Sequence, residues 1–247
     1  THLIFTHGFD IALDNQSMFK EAIKHITTVA DEDSKELIVV ETNLREFLDK
    51  YLGWEMSHGA ALGSIAQFIG NGFERIYVPG TTDVNNIFPL GSHPDIDPLW
   101  SSETTEIIHD GLEASRLEKI KNKIANSELA LEHLRVCYSN YGNKYNCSKC
   151  NKCLRTMVLM ASVGVLDKSK TFILPLDLKA VGRISDIPSR ELRHYKSALH
   201  ELEVNNRNPE LQNAIKSTIK NIEHPSTKML IRQVLRDIDT NLTNGRM

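Results

Sequence analysis

Four cysteines carry the clearest chemistry in the chain. Cys137, Cys147, Cys150 and Cys153 are all the cysteines among its 247 residues, and they stand in the order C-x9-C-x2-C-x2-C. Thiolates separated by two residues converge on one tetrahedral ion when the intervening turn is tight. Ser148-Lys149 and Asn151-Lys152 are polar pairs that allow such turns. Four sulfurs with no open position form the pattern of a structural zinc site. Lys144, Lys149, Lys152 and Arg155 flank the cluster, and their charge would help to hold the thiolates deprotonated. The same ligands suit an iron–sulfur cluster, and a disulfide pair is the plainer alternative. Zinc is expected, because the cysteines are tightly clustered and no secretory signal is visible.

The remaining candidates sit where strands are expected to end. His2-Leu3-Ile4-Phe5 reads as a short strand running into Thr6-His7-Gly8. Asn15 or Ser17 is placed to cap a helix with Phe19, Ala22, Ile23 and Ile26 as its inner stripe. Leu37-Ile38-Val39-Val40 has no alternation and predicts a strand buried on both faces, followed by Thr42-Asn43. Ser57 is expected to open a helix from His58 to Ile69, and Arg75-Ile76-Tyr77-Val78 a third strand that runs into Pro79-Gly80-Thr81-Thr82-Asp83. Strands alternating with helices predict an α/β fold, a doubly wound parallel sheet. In such sheets ligands bind outside the carboxyl ends of the strands.

A long polar passage, Asn85 to Gly111, follows the third strand and reads as a constrained loop of the kind that carries function. Asp83, Ser92, His93 and Asp97 form the candidate substrate patch, with Asp97 or His93 as acid–base partners. The competing account of Asp97-Pro98 is turn chemistry. His58, at a helix start on the same sheet edge, is a further substrate candidate. Trp100 suits either ring stacking or anchoring of the loop. No residue is assigned as catalytic.

Glu113 to Ile124 and Leu154 to Val163 read as helices. From about Ser189 the chain is helical and polar, broken at Asn205 to Pro209 and at His224-Pro225-Ser226. Ile231, Val234, Leu235, Ile238 and Leu242 make a stripe in its last segment, for the core or for a partner, which leaves a homo-oligomer open.

Composition narrows the classes. A formal net charge of -3 gives no general attraction to nucleic acid or to a membrane surface, and no apolar run approaches a membrane span of about 20 residues. The basic cluster from Lys144 to Arg155 is the only feature that points to nucleic acid. A small-molecule substrate and a cytoplasmic location are expected.

From Ser57 to Arg155 the chain resembles the N-type ATP pyrophosphatase (PP-loop) family, and within it the 7-cyano-7-deazaguanine synthase branch. The passage Leu90-Gly91-Ser92-His93-Pro94-Asp95 through Trp100 stands where that branch has its S-G-Y-P-D-C-R loop. Arg116 falls where it has a lysine near the nucleotide phosphates. The cysteines and Arg155 match its C-x8-C-x2-C-x2-C-x-R ending with one extra spacer residue. The resemblance implies an adenine nucleotide alpha hydrolase-like fold, ATP with Mg2+, and adenylation of a substrate with release of pyrophosphate. It places nucleotide contacts at His7, Gly8, Thr42 and Arg116, and offers Asp10 or Asp14 for magnesium.

The family's S-G-G-x-D-S phosphate loop is not among the 247 residues. The chain opens at Thr1 directly into a strand like the family's second, so the first strand and its loop are expected upstream. The expected domains are a nucleotide-binding α/β domain over 1–130, a zinc-binding segment over 131–166 and a C-terminal helical region over 167–247.

Overall fold

The computed structural model describes residues 1–225 and Thr227, so the stripe from Ile231 to Leu242 lies outside the described residues. The chain divides into two compact units. Among the described residues the first comprises 1–119 and 138–145, the second 120–137 and 146–225.

The first unit is mixed α/β. Strand β1 (His2–His7) leads into helix α1 (Gln16–Glu32), which Asn15 caps by accepting a hydrogen bond from the Met18 amide at 3.2 Å. Strand β2 (Glu36–Glu41) then returns parallel to β1, with Leu3 opposite Leu37 and Phe5 opposite Val39. The two pack against α1 through Met18 and Ala22, with Ile11, Phe5, Phe19 and Tyr145 completing the cluster. β2 is not buried on both faces: Val39 is 45% exposed, and nothing among the described residues covers that side.

A short helix α2 (Leu44–Leu48) precedes α3 (Trp54–Ile69). The latter starts four residues earlier than the sequence suggests, with Gly53 at its N-cap, so Ser57 is a buried residue inside the helix and not its cap. Strand β3 (Arg75–Pro79) is paired in parallel with β4 (Glu106–Asp110), a strand that sequence reading leaves inside the long loop. With polar or charged residues at Glu106, His109 and Asp110, β4 shows too little local alternation to be read alone. The parallel register, opened by the Arg75–Glu106 ion pair at 3.1 Å, supplies what local pattern lacks. Ala66, Ile76, Val78 and Ile107 form the core of this half, with Trp100 packed against them. The described strands thus form two separate parallel pairs, β1 with β2 and β3 with β4.

Helix α4 (Arg116–Asn122) is shorter than expected because a reciprocal capping box fixes its start. The Ser115 amide donates to Glu118 Oε2 at 2.7 Å, and the Glu118 amide donates to Ser115 Oγ at 3.3 Å. Hydrogen bonds to the carboxyl from the Ser115 side chain and then from its backbone hold the exposed Glu118 carboxyl below its usual range.

The second unit is helical: α5 (Glu128–His133), α6 (Asn151–Val163), α7 (Leu178–Gly182), α8 (Leu192–Val204) and α9 (Pro209–Glu223). The breaks fall at Asn205 to Asn208 and at His224, as the polar interruptions suggest. α6 packs on α8, α8 on α9, and α9 on α7. Leu154, Met157, Val158, Leu159 and Met160 leave α6 buried nearly all round. No described helix is long and apolar enough to cross a membrane.

Candidate metal centre and polar site

The four cysteines come together in the second unit. Their sulfurs all lie within 4.8 Å of one another, and the Cys137–Cys150 and Cys147–Cys153 pairs are each 3.9 Å apart. Tetrahedral ligation at a Zn–S distance of about 2.3 Å requires sulfurs about 3.8 Å apart. A disulfide requires about 2.05 Å, and all four thiols are free. The donor set therefore fits one metal ion such as zinc, held among four buried cysteines.

Local structure explains the convergence. Ser148 adopts a left-handed φ of 56°, which folds the chain back so that the Cys150 amide donates to Cys147 Sγ at 3.3 Å. Cys150 is the N-cap of α6 and Cys153 lies in its first turn, so the helix start itself aims the second pair. Cys137 stands before the intervening loop, and a buried asparagine fixes it. Asn146 Oδ1 accepts from the Val136 and Cys137 amides at 2.9 and 3.2 Å, while Nδ2 donates to the Leu134 carbonyl at 2.8 Å. Asn146 thus acts as a short piece of β-ladder, a role its sequence context as one more polar spacer does not reveal.

Burial pushes the Cys147 thiol up, and hydrogen bonds from Cys137 and then Cys150 push up that of Cys153. Only a bound cation reverses that balance, since a coordinating thiol is deprotonated outright. Of the flanking cations, Arg155 is ion-paired with Glu191, whereas Lys149 and Lys152 are exposed.

In the first unit, the sequence-derived candidates fall at two strand ends. Beyond β1 and β2, Gly8 and Thr42 touch. Gly8 has φ +106°, and a Cβ there would lie 1.8 Å from the Thr42 carbonyl oxygen. The Thr42 amide donates to the His7 carbonyl at 3.0 Å, and Thr42 Oγ1 accepts from the Leu44 amide. His7 itself is fully buried, stacked on Phe19 at 4.1 Å, with its ring nitrogens bonded to Glu41 and to the Ala12 carbonyl. Asp10 lies 3.5 Å from Arg45, whose guanidinium covers the Trp54 ring at 4.6 Å, and Asp14 is exposed.

Beyond β3 and β4 the structure gathers Ser92, His93 and Asp97 into one knot and adds a residue that sequence reading missed, His109. Asp97 is 2% exposed. Its Oδ2 accepts from Ser92 Oγ and from His109 Nδ1, both at 2.7 Å, and its Oδ1 accepts from the His93 amide at 3.3 Å. His93 Nδ1 accepts from the Asp95 amide. The other candidates are bonded elsewhere. Asp83 caps a turn, accepting from the Asn85 amide and the Asn86 side chain. Arg116 Nη2 donates to the Thr81 carbonyl at 3.3 Å. His58 Nδ1 donates to the Trp54 and Glu55 carbonyls of its own helix. Trp100 anchors the loop in the core, its ring filling the space opposite Gly63.

This arrangement presents a carboxylate-held imidazole, hydroxyls and a guanidinium at the carboxyl ends of two parallel strands, a setting suited to binding and proton transfer. No family model, curated protein or solved structure matches the chain.

Proposed function

We propose that this protein is an ATP-dependent ligase-like enzyme of the PP-loop type, which adenylates a small-molecule substrate and releases pyrophosphate. In this reading the four-sulfur centre is a structural zinc site. The observation that carries it is the gathering of Ser92, Asp97 and His109 at the carboxyl ends of β3 and β4, with Arg116 bonded to the Thr81 carbonyl just past β3. The four-sulfur cluster follows it in the order that the PP-loop resemblance requires.

Two further features support the reading. Each parallel pair has an edge left unpaired among the described residues. One additional parallel strand between β1 and β3 would join them into a doubly wound sheet, and in the PP-loop family a strand in that place carries the glycine-rich phosphate loop. Such a loop cradles phosphate with its backbone amides. Arg116 would add a permanent charge and a fork that fits phosphate oxygens.

The test is Mg·ATP binding by calorimetry and pyrophosphate release with the native full-length protein. Arg116→Ala should weaken ATP binding about 10- to 100-fold, the loss of about 1.5–3 kcal/mol in charged hydrogen bonds. A full-length protein that binds no ATP sinks the proposal. The absence of S-G-G-x-D-S from these 247 residues favours a second reading, a catalytically inactive nucleotide-binding or scaffold protein. ATP binding with no pyrophosphate release on any substrate would select it.

A further inference from the structure

His109 lies at the carboxyl end of β4, and its side chain is 4% exposed. The Asp97 carboxylate accepts at 2.7 Å, which fixes the ring proton on Nδ1 and leaves a lone pair on Nε2. That Nε2 is buried and bonded to nothing. A buried polar atom without a partner costs about 1–3 kcal/mol and needs an explanation. The ring's orientation is set from its other nitrogen by Asp97. Ser92 Oγ braces the same Asp97 oxygen from a second direction.

Nε2 faces Gly80, the first residue after β3, where any side chain would begin 2.8 Å from it. A second buried hydroxyl without a partner, Ser57 Oγ, lies on α3, whose backbone abuts the same loop where Gly59 meets Gly91 and Ser92. A carboxylate that sets the tautomer of a histidine and leaves Nε2 as acceptor is the arrangement of a general base.

We propose that His109 is the proton acceptor of this site, with Asp97 and Ser92 as its positioning residues. The assignment rests on the adenylating reading above. In the second half-reaction a nitrogen nucleophile forms a bond to the activated carbon. The carbon–oxygen bond to the AMP phosphate breaks, its electron pair leaving on AMP, and the nucleophile's proton passes to His109 Nε2 and from there to water. Gly80, whose amide donates to the Asp110 carbonyl at 2.6 Å, covers Nε2, and its turn must shift to admit the nucleophile.

The experiment uses the full-length protein with ATP and a filtered small-molecule extract of the source cells. Ammonium chloride or hydroxylamine serves as nucleophile, the latter needing little base assistance. His109→Gln should lower AMP formation with ammonium chloride about 100- to 10,000-fold while sparing the hydroxylamine reaction and ATP–pyrophosphate exchange. Asp97→Asn should lower the same step. Equal losses in all three reactions, or no loss in any, overturn the proposal. Failure of the wild type to exchange pyrophosphate defeats the adenylating reading instead. Imidazole 15N NMR then decides on His109 alone: an Nδ1–H tautomer that Asp97→Asn abolishes upholds the proton acceptor, and an Nε2–H tautomer in the wild type refutes it.

Discussion

Replacing Cys150 with serine separates a metal centre from a mere pocket of thiols. Cys150 is the N-cap of α6, stands 3.9 Å from Cys137 across the cluster, and donates its amide to Cys147 Sγ. Serine keeps the backbone and nearly the volume, so a metal-free thiol cluster would lose about 1 kcal/mol or less. A structural zinc ion contributes about 10–16 kcal/mol of binding free energy, which becomes folding free energy. An even share for one ligand of four is about 3 kcal/mol, or roughly two decades in affinity. That loss should lower the melting temperature on the order of 10 °C. The assay is metal content by mass spectrometry on protein purified without chelator, paired with calorimetry. The expected result is one equivalent of zinc in the wild type, substoichiometric zinc in the variant and a melting difference that EDTA erases. Equal metal content with melting points within about 2 °C would refute the metal reasoning.

Asn146→Ala should cost about 2–4 kcal/mol by stranding the Val136 and Cys137 amides, and should weaken metal retention roughly 10- to 100-fold, read by competition with a chromogenic chelator. Gly59→Ala should destabilise by more than about 1–3 kcal/mol in urea titration, because its Cβ would lie 1.8 Å from the Gly91 carbonyl oxygen and 2.7 Å from the Ser92 nitrogen. Gly53→Ala meets no neighbour within 4 Å and should cost only the poorer N-cap preference of alanine, about 1 kcal/mol or less. Tyr195 is buried with its hydroxyl unpartnered, and burial pushes its pKa up to about 12 against the opposing pull of Arg155. Its contribution to stability is therefore present below the unfolded value of about 10 and is lost as pH rises through about 12. Tyr195→Phe should remove that alkaline loss and leave neutral-pH stability unchanged or raised by about 1 kcal/mol, as denaturation at pH 8 and pH 11 would show.

The cysteine centre was legible because its ligands share one short stretch and their spacing is itself geometric information. The knot around Asp97 was legible in part. Ser92, His93 and Asp97 stand close together in a proline-rich loop, which marks them as a group. His109 joins them only because β4 pairs with β3, and that pairing rests on register across a loop of more than twenty residues, which no local pattern records. His7 shows the converse. A histidine at the end of a strand reads as poised over a ligand, yet the β1–β2 pairing sets Glu41 beside it and α1 brings Phe19 against its ring. Ser57 misled for a simpler reason: as a preferred capping residue it marks a helix start, while Gly53 and the turn Trp54-Glu55-Met56 carry the helix further back.

Helix α6 explains why so small a metal centre should matter to so much of the chain. Its first turn supplies two of the four sulfurs, Cys150 and Cys153, and the next turn carries Arg155 in its ion pair with Glu191 beside α8. Beyond that, Leu154 and Met157 to Met160 are buried almost all round, so the helix has no solvent face along which to slide or rotate. A helix buried in this way takes its position from its ends. At the carboxyl end Gly164 closes it in a left-handed turn with φ +82°, and the Val163 carbonyl is held by Arg207 at 3.0 Å. At the amino end no side chain caps it, and the sulfur cluster takes that place. A metal ion there would fix the register of the one helix that the core of the second unit is built around.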